Sequence, residues 1–334
     1  MSVTVVVGGF YGDEGKGKIV AFHALSQKPA VAVRGGVGPN AGHTVVMDGV
    51  TRKTRLIPSA FVCSRTQLCV SAGVLVEPSL FISEVNELGV AGRAYLDSGA
   101  GVIEKKHIEL DRTDRNLSSR IGTTGTGTGP AMSDRVLRQL KLAGEIAELR
   151  PYMADIAGKI HNAIEEGESV LLEGTQGTFL SLYHGSYPYV TSKDVTASSI
   201  CADAGIGPTC VDHVLVVFKS YVTRVGNGPL ANELRQEEVE NKGWTERGSV
   251  TGRLRRAAPF NIELAKRSVR LNGATMCALT KLDAIFPEAS GMREYGKLPR
   301  ESRAYIEELE EALGVPIVYV GTGSEVKDTV VVPH

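Results

Sequence analysis

Residues 3–18 read VTVVVGGFYGDEGKGK. Val3 to Val7 is a β-branched run that stops at Gly8-Gly9, the pattern of a buried parallel strand feeding a glycine turn. Gly12 to Lys18 then fits G-x-x-x-x-G-K, and Lys18 to Ser26 reads as the helix that follows. Strand, glycine loop and helix in that order present backbone N–H groups at a helix N-terminus, where they wrap phosphate oxygens. Ile19 stands where such loops usually carry the Ser or Thr that holds Mg²⁺, so a metal must find another ligand. Asp13 is the unexpected residue. A carboxylate beside phosphates meets repulsion of up to about 4 kcal/mol per close charge pair at an effective dielectric of about 20. Only a metal, a lysine or a reaction that needs the carboxylate there would offset this, and Lys16 and Lys18 share the loop.

Working outward, short apolar runs recur at Val31-Ala-Val33, Leu68-Cys-Val70, Ser169 to Leu172, His213 to Phe218, Met276 to Leu279 and Pro316 to Val320. Helix-patterned or loop segments separate them. That alternation predicts an α/β fold: a large, mostly parallel sheet flanked by helices, P-loop NTPase-like, with loop and small subdomain insertions. Arg135 to Glu166 and Glu301 to Leu313 carry the i, i+3, i+4 apolar spacing of helices. No internal repeat or linker interrupts residues 1–334, which read as a single domain, and the polar stretch Leu230 to Gly248 reads as a surface insertion at about 230–248.

With 42% hydrophobic and 22% charged residues, the 334-residue chain is not disordered, collagen-like or coiled-coil. Its 37 basic and 38 acidic residues give no positive excess to recruit nucleic acid or anionic lipid, so neither nucleic acid nor membrane is expected as a partner. Five cysteines without a C-x-x-C pair indicate neither a zinc site nor a disulfide framework. The N-terminus lacks a basic leader and no apolar stretch reaches the roughly 18–20 residues of a membrane span. The cytoplasm is therefore the expected compartment.

Several further segments occur in a fixed order after GFYGDEGKGK: NAGHT at Asn40 to Thr44, IGTTGTGTGP from Ile121, EGTQGTFLSL from Glu173, YPYVTSKD from Tyr187, TRVGNGP from Thr223, VTGRLRR from Val250 and TKLD from Thr280. Together they resemble the adenylosuccinate synthetase family, whose members join L-aspartate to IMP at the cost of GTP, and in particular its compact archaeal form. The resemblance runs nearly end to end. It implies a 6-phosphoryl-IMP intermediate, with adenylosuccinate, GDP and phosphate as products.

The bond to be made is C6–N, and the oxygen on C6 of hypoxanthine leaves poorly unless activated. A base at N1 makes O6 nucleophilic enough to attack the γ-phosphate of GTP. Asp13 suits that base and, by resemblance, would also ligate Mg²⁺ together with the Gly42 carbonyl. His43 would donate to the oxyanion as charge builds, and Lys16 would neutralise the transferring phosphate. His23, His107, His161, His184 and His213 are read as packing or surface residues.

The resemblance further implies a GTP site from Gly12, Asp13, Glu14, Gly15, Lys16, Gly17 and Lys18, with Gly42, His43, Thr44 and Arg255. Its base would lie on Lys281, Leu282 and Asp283, closed over by Gly321, Thr322 and Gly323. As a carboxylate, Asp283 pairs with guanine N1–H and its 2-amino group, donors that adenine lacks. IMP would meet Asp13 to Lys16, Asn40, Ala41, Gly42, His43, Thr124, Gln176, Thr191 and Arg253. The stretch Val250, Thr251, Gly252, Arg253, Leu254, Arg255 and Arg256 would hold aspartate, two forked guanidinium groups clamping its two carboxylates. Arg138 would reach the IMP phosphate of a neighbouring subunit, which implies a homodimer. Two other readings remain at this point: a paralogue acting on GMP or dGMP to give 2-aminoadenylosuccinate, which tends to lose the Asp of the phosphate loop, and a guanine-nucleotide switch protein, which leaves NAGHT, YPYVTS and VTGRLRR unexplained.

Overall fold

The structure, a computed structural model, describes residues 2–248 and 252–334. A nine-stranded sheet forms its centre: β1 Val3–Gly8, β2 Val31–Arg34, β3 Gln67–Val70, β4 Ala94–Leu96, β5 Val170–Glu173, β6 His213–Lys219, β7 Met276–Thr280, β8 Ile317–Gly321 and β9 Thr329–Val331. Their spatial order is β9-β8-β7-β6-β1-β5-β2-β3-β4. Every neighbouring pair is parallel except β8 with β9. The expected strands are all present. The two that the sequence left unseen, β4 and β9, are three-residue edge strands too short to show a period.

Alternation along the strands divides the core in two. Val3, Val5 and Val7 of β1 face one side with Leu172, Val216 and Leu279, while Val6 faces the other with Leu171, Val217 and Ala278. This is the period of two that a strand buried on both faces requires. The first side is covered by helices at Ile156–Glu165, Ala197–Ala204, Ile262–Asn272 and Arg300–Leu313. The second is covered by α1 (Lys16–Gln27) and the helix Pro78–Leu88.

Helix boundaries depart from the sequence reading in one region. Arg135 to Glu166 is not one helix: the helix Thr128–Val136 ends there, two 3₁₀ turns follow at Ala143–Glu145 and Ala147–Tyr152, and a new helix starts at Ile156. Gly144 and Pro151 break the continuity, and Asp155 caps the new helix by accepting from Gly158 N at 2.8 Å. α1 begins at Lys16, two residues before the glycine pattern suggested, with Gly15 left-handed at its N-cap.

The turn after β1 needs glycine for a steric reason. A Cβ on Gly9 would lie 2.2 Å from the Phe218 ring, which packs against Phe10 and Phe260 at centroid distances of 5.1 and 6.0 Å. Gly9→Ala should therefore overpack this site and lower stability by about 1–3 kcal/mol. Added to Phe218→Ala, which by itself should cost about 3–5 kcal/mol, the same change should be nearly free. Urea midpoints of the four proteins measure the coupling; simple additivity would mean that the ring does not limit Gly9.

Candidate active site

In a parallel sheet the loops at the carboxyl ends of the strands share one edge. Here those after β1, β2, β5, β7 and β8 converge on a cleft of about 1290 Å³. The phosphate loop is held from beneath by Glu14, which is 1% exposed. Its Oε1 accepts from the N–H groups of Phe10 and Gly12 at 3.0 and 2.8 Å, and its Oε2 from Lys16 Nζ at 2.9 Å. The Lys16 ammonium also donates to the carbonyl of Gln176. With two amides and an ammonium satisfied by one buried carboxylate, Gly12, Asp13 and Gly15 take left-handed backbone at φ 89°, 61° and 80°. Asp13 thereby turns its side chain into the cleft, which Gly17 and Lys18 also line. Lys18 donates to the carbonyls of Gly323 at 2.7 Å and Asp328. Burial pulls its pKa down to about 8, against the opposing pull of Asp328 and Asp283.

His43 begins a hairpin, His43–Met47 with Val50–Thr54, whose first residue drops to the cleft floor beside Gly42 and Thr44. Its Nδ1 lies against Glu173 Oε1, the oxygen that also meets Arg34 Nη1 at 3.0 Å. Arg34 Nη1 is 2.7 Å from the same Nδ1. A guanidinium has only protons to offer, so an unprotonated Nδ1 would point its lone pair at the carboxylate. A carboxylate has only lone pairs to offer, so the ring nitrogen against it carries the proton: Nδ1–H donates to Glu173, beside the Arg34 charge that pairs with the same oxygen. That leaves Nε2 as the free ring nitrogen; it is buried without a hydrogen-bond partner. Burial, then the Arg34 charge, hold the His43 pKa below the usual range, so the ring is neutral. Burial alone would raise Glu173, but Arg34, His43 and Ser59 outweigh it and keep the carboxylate ionised.

On the opposite wall Gln176 Nε2 donates to Asn40 Oδ1 at 3.0 Å and Asn40 Nδ2 to Thr191 Oγ1 at 3.2 Å. Ala41 lies beside them, and Thr124, with its hydroxyl 3.0 Å from that of Thr126, closes the far end. The loop expected to meet the base follows β7. Thr280 Oγ1 donates to the Glu14 carbonyl at 2.7 Å, Lys281 is left-handed at φ 62°, and Asp283 reaches the cleft with Oδ1 buried and unpartnered. Gly323 lies on the same rim.

The two arginines expected to clamp aspartate are differently placed. Arg255 packs its Nε against Asp13 Oδ2 as an ion pair; the contact is charge against charge without hydrogen-bond alignment, and Nη1 also lacks a partner. Arg253 donates to the carbonyls of Gly122 and Thr123 at 2.9 and 2.8 Å, bridging the arginine loop to the loop before Thr124.

Some expected contacts lie off the cleft. Glu14, Leu282 and Thr322 are buried beneath it, where Thr322 donates to Met292 O at 2.6 Å; Gly321 ends β8 under the Lys18 ammonium. The Arg256 guanidinium is taken up by Glu233 and by the carbonyls of Gly226 and Gly228, so it braces the base of the arginine loop. Gly252 and the 40%-exposed Leu254 lie along that loop outside the cleft. Arg138, left-handed at φ 60° after the helix Thr128–Val136, is exposed and does not line its own chain's cleft. Val250 and Thr251 fall outside the described residues. Conversely, Arg34 and Glu173, which fix the His43 tautomer, were not singled out for this role; Glu173 opens the EGTQG motif, and a glutamate ending a buried strand was the available signal.

A sequence profile of the adenylosuccinate synthetase family matches residues 5–148 and 139–288. Adenylosuccinate synthetase of Pyrococcus horikoshii is 52% identical over 330 residues, covering 98% of this chain and 97% of that one. The chain belongs to the adenylosuccinate synthetase family. The Methanocaldococcus jannaschii enzyme is 50% identical over 333 residues, 99% of this chain and 96% of its own. In fold, the fully ligated adenylosuccinate synthetase of Plasmodium falciparum superposes with a TM-score of 0.92 over the whole of both chains at 24% identity. A cyanophage S-2L succinoaminodeoxyadenylate synthetase, bound to dGMP and dATP, superposes with 0.82 at 23%, covering 100% of this chain and 96% of that one. Members of the family are GTP-dependent ligases, and this chain is an enzyme of that class.

The neutral His43 has a measurable consequence. An unfolded histidine titrates near about 6.5, whereas the native His43 pKa is lowered. As pH falls below the unfolded value, the unfolded chain gains a proton that the native state refuses, so stability is lost on acidification at up to about 1.4 kcal/mol per pH unit for each such histidine. His23, lowered to about 4 by burial, has the same sign. His43→Asn should flatten the fall in unfolding free energy between pH 7 and 5, read from urea titrations. An unchanged slope would mean that His43 is already protonated in the native protein.

Proposed function

We propose that this chain ligates L-aspartate to IMP with GTP, and that Asp13, His43 and Lys16 carry the chemistry. The observation that supports this most directly is the juxtaposition in one cleft of a phosphate-loop carboxylate, the unpartnered His43 Nε2 and the unpartnered Asp283 Oδ1. Asp13 takes the N1 proton of hypoxanthine, the electron pair passes to O6, and O6 attacks the γ-phosphorus with GDP leaving. The aspartate amine then adds at C6, the C6–O bond breaks to release phosphate, and the amine loses its proton. Entry of phosphate charge beside the imidazole favours protonation of Nε2, which then donates to the oxyanion. Lys16 lies one residue into α1, at the helix end that attracts phosphate.

Asp283 accepts from guanine N1–H and N2–H. Arg255, with donors still unpaired, leaves Asp13 when IMP arrives and turns to an incoming anion; Arg253 serves the aspartate carboxylates. Mg²⁺ fits the hard oxygens of Asp13 and Gly42. Among the described residues no group of three or more His, Cys, Asp or Glu comes together, so phosphate and water oxygens would have to supply its remaining ligands. Bound there, the ion would neutralise β- and γ-phosphate charge. No helix of the described residues is long and apolar enough to cross a membrane, and the cytoplasm suits a chain whose five cysteines are unpaired.

Asp13→Ala should abolish aspartate-dependent phosphate release from GTP while GTP binding, measured by calorimetry, stays within severalfold of wild type. Because Asp13 is engaged at N1, the wild type should prefer IMP over dGMP; desolvating an unpartnered 2-amino group costs about 1–3 kcal/mol. Full activity of the variant ends the assignment of the base, and equal use of dGMP favours the 2-aminoadenylosuccinate reaction.

The exposed Arg138 is the feature that favours a homodimer with shared sites, since it does not line the cleft of its own chain. Arg138→Leu and Asp13→Ala dimers should each be poor catalysts. A heterodimer of the two holds one site with neither lesion, so activity should return on subunit exchange. Verified heterodimers that stay inactive would assign Arg138 to its own chain.

A further inference from the structure

The polar stretch before the arginine loop is anchored at its end. Trp244, 6% exposed, stacks on Tyr221 with centroids 4.3 Å apart and planes at 8°, and its Nε1 donates to the Ala284 carbonyl at 3.2 Å. Two residues on, Glu246 enters the cleft wall. Its Oε2 accepts from Lys219 Nζ at 2.8 Å and its Oε1 from Tyr221 OH at 2.6 Å, while Lys281 Nζ stands 3.4 Å from Oε1. Lys219 is almost fully buried at the end of β6, with Thr223 Oγ1 as its other partner at 2.6 Å. Burial alone would raise the Glu246 carboxyl, but the Lys219 and Lys281 charges outweigh it and bring it down to about 2.

The backbone of Glu246 does separate work. Its carbonyl accepts from Arg255 N at 2.9 Å, the first rung of a short ladder continued by Gly248 N donating to the Arg253 carbonyl at 3.0 Å. The arginine loop thus springs from Glu246. Its side chain meanwhile grips Lys281, whose left-handed φ of 62° is uncommon for a lysine and sets the direction in which Asp283 leaves β7. We propose that Glu246 is a positioning residue that locks the arginine loop to the base-recognition loop, so that one carboxylate sets both guanine selection and aspartate capture. This rests on reading the cleft as the GTP and aspartate site.

Glu246→Gln keeps the shape and removes the charge. It should raise KM for GTP and for aspartate about tenfold, the loss of one charge-assisted contact, while KM for IMP changes less than about twofold. The ratio of kcat/KM for GTP over ITP, which lacks the 2-amino group, should fall as well. Lys281→Met alters a side chain 49% exposed and so spares the fold. It should reproduce the GTP and ITP effects, and adding it to Glu246→Gln should change them little further.

A merely structural glutamate would lower the melting temperature or the active fraction and leave all three KM values and the GTP/ITP ratio where they were; that result overturns the proposal, as does additivity of the two variants on KM for GTP. Should Glu246→Gln fail to fold, Lys281→Met decides alone: an unchanged GTP/ITP ratio rejects the proposal. Wild-type enzyme assayed in parallel separates the two levels. If it does not couple GTP breakdown to IMP and aspartate, the functional reading falls and the proposal with it, whereas active wild type with unaltered variants rejects only the role of Glu246.

Discussion

The cleft is organised around a carboxylate at the middle of the sheet. Glu173 ends β5, between β1 and β2, with no exposed surface; it is ion-paired with Arg34 and accepts from His43 and from both the N–H and Oγ of Ser59. A buried charge of this kind is tolerable only when paired and hydrogen-bonded throughout. Because its donors come from a neighbouring strand, a hairpin and a 3₁₀ turn, satisfying one residue fixes the relative positions of three segments. It also settles which nitrogen of His43 is left free at the cleft. Removing either partner of such a pair leaves a charge uncompensated, at a cost of about 3–5 kcal/mol.

The cleft floor carries charge that is balanced from within. Glu14 is answered by Lys16, Glu173 by Arg34, Asp13 by Arg255 and Glu246 by Lys219. Three of these pairs keep the acidic partner nearly or mostly buried, and they shape the walls. The Asp13–Arg255 pair has the most exposed carboxylate of the four, at 28%, and its contact lacks hydrogen-bond alignment. It is the pair whose acidic side chain stands most open to the cleft.

The sheet was legible because each buried strand is a run of β-branched or aliphatic residues bounded by glycine or polar turns, as at Val3 to Val7 and His213 to Phe218. The phosphate loop was legible from glycine spacing alone. Arg135 to Glu166 misled because its apolar spacing suits two helices equally well, and the break depends on Gly144, Pro151 and the cap at Asp155. Of the residues named by motif, Asp13, His43 and Asp283 line the cleft. Adjacent motif residues such as Glu14, Leu282 and Thr322 point the other way, and one-dimensional spacing does not say which of two neighbours faces inward. Glu246 was hidden for a different reason. Its partners Lys219, Tyr221 and Lys281 come from other strands and loops, and nothing in its own polar stretch announces them.

Lys18 gives the fold a temporal order. Its ammonium, near the start of the chain, is held by carbonyls 305 and 310 residues away, at Gly323 and Asp328. During synthesis the loop that carries Lys18 emerges 305 and 310 residues ahead of the two carbonyls that receive it. Until that segment leaves the ribosome, the lysine has no carbonyls to bind and the base side of the cleft has no rim. A nascent chain can therefore build its first strands and α1 early, but this rim of the cleft closes only after Gly323 and Asp328 have been made.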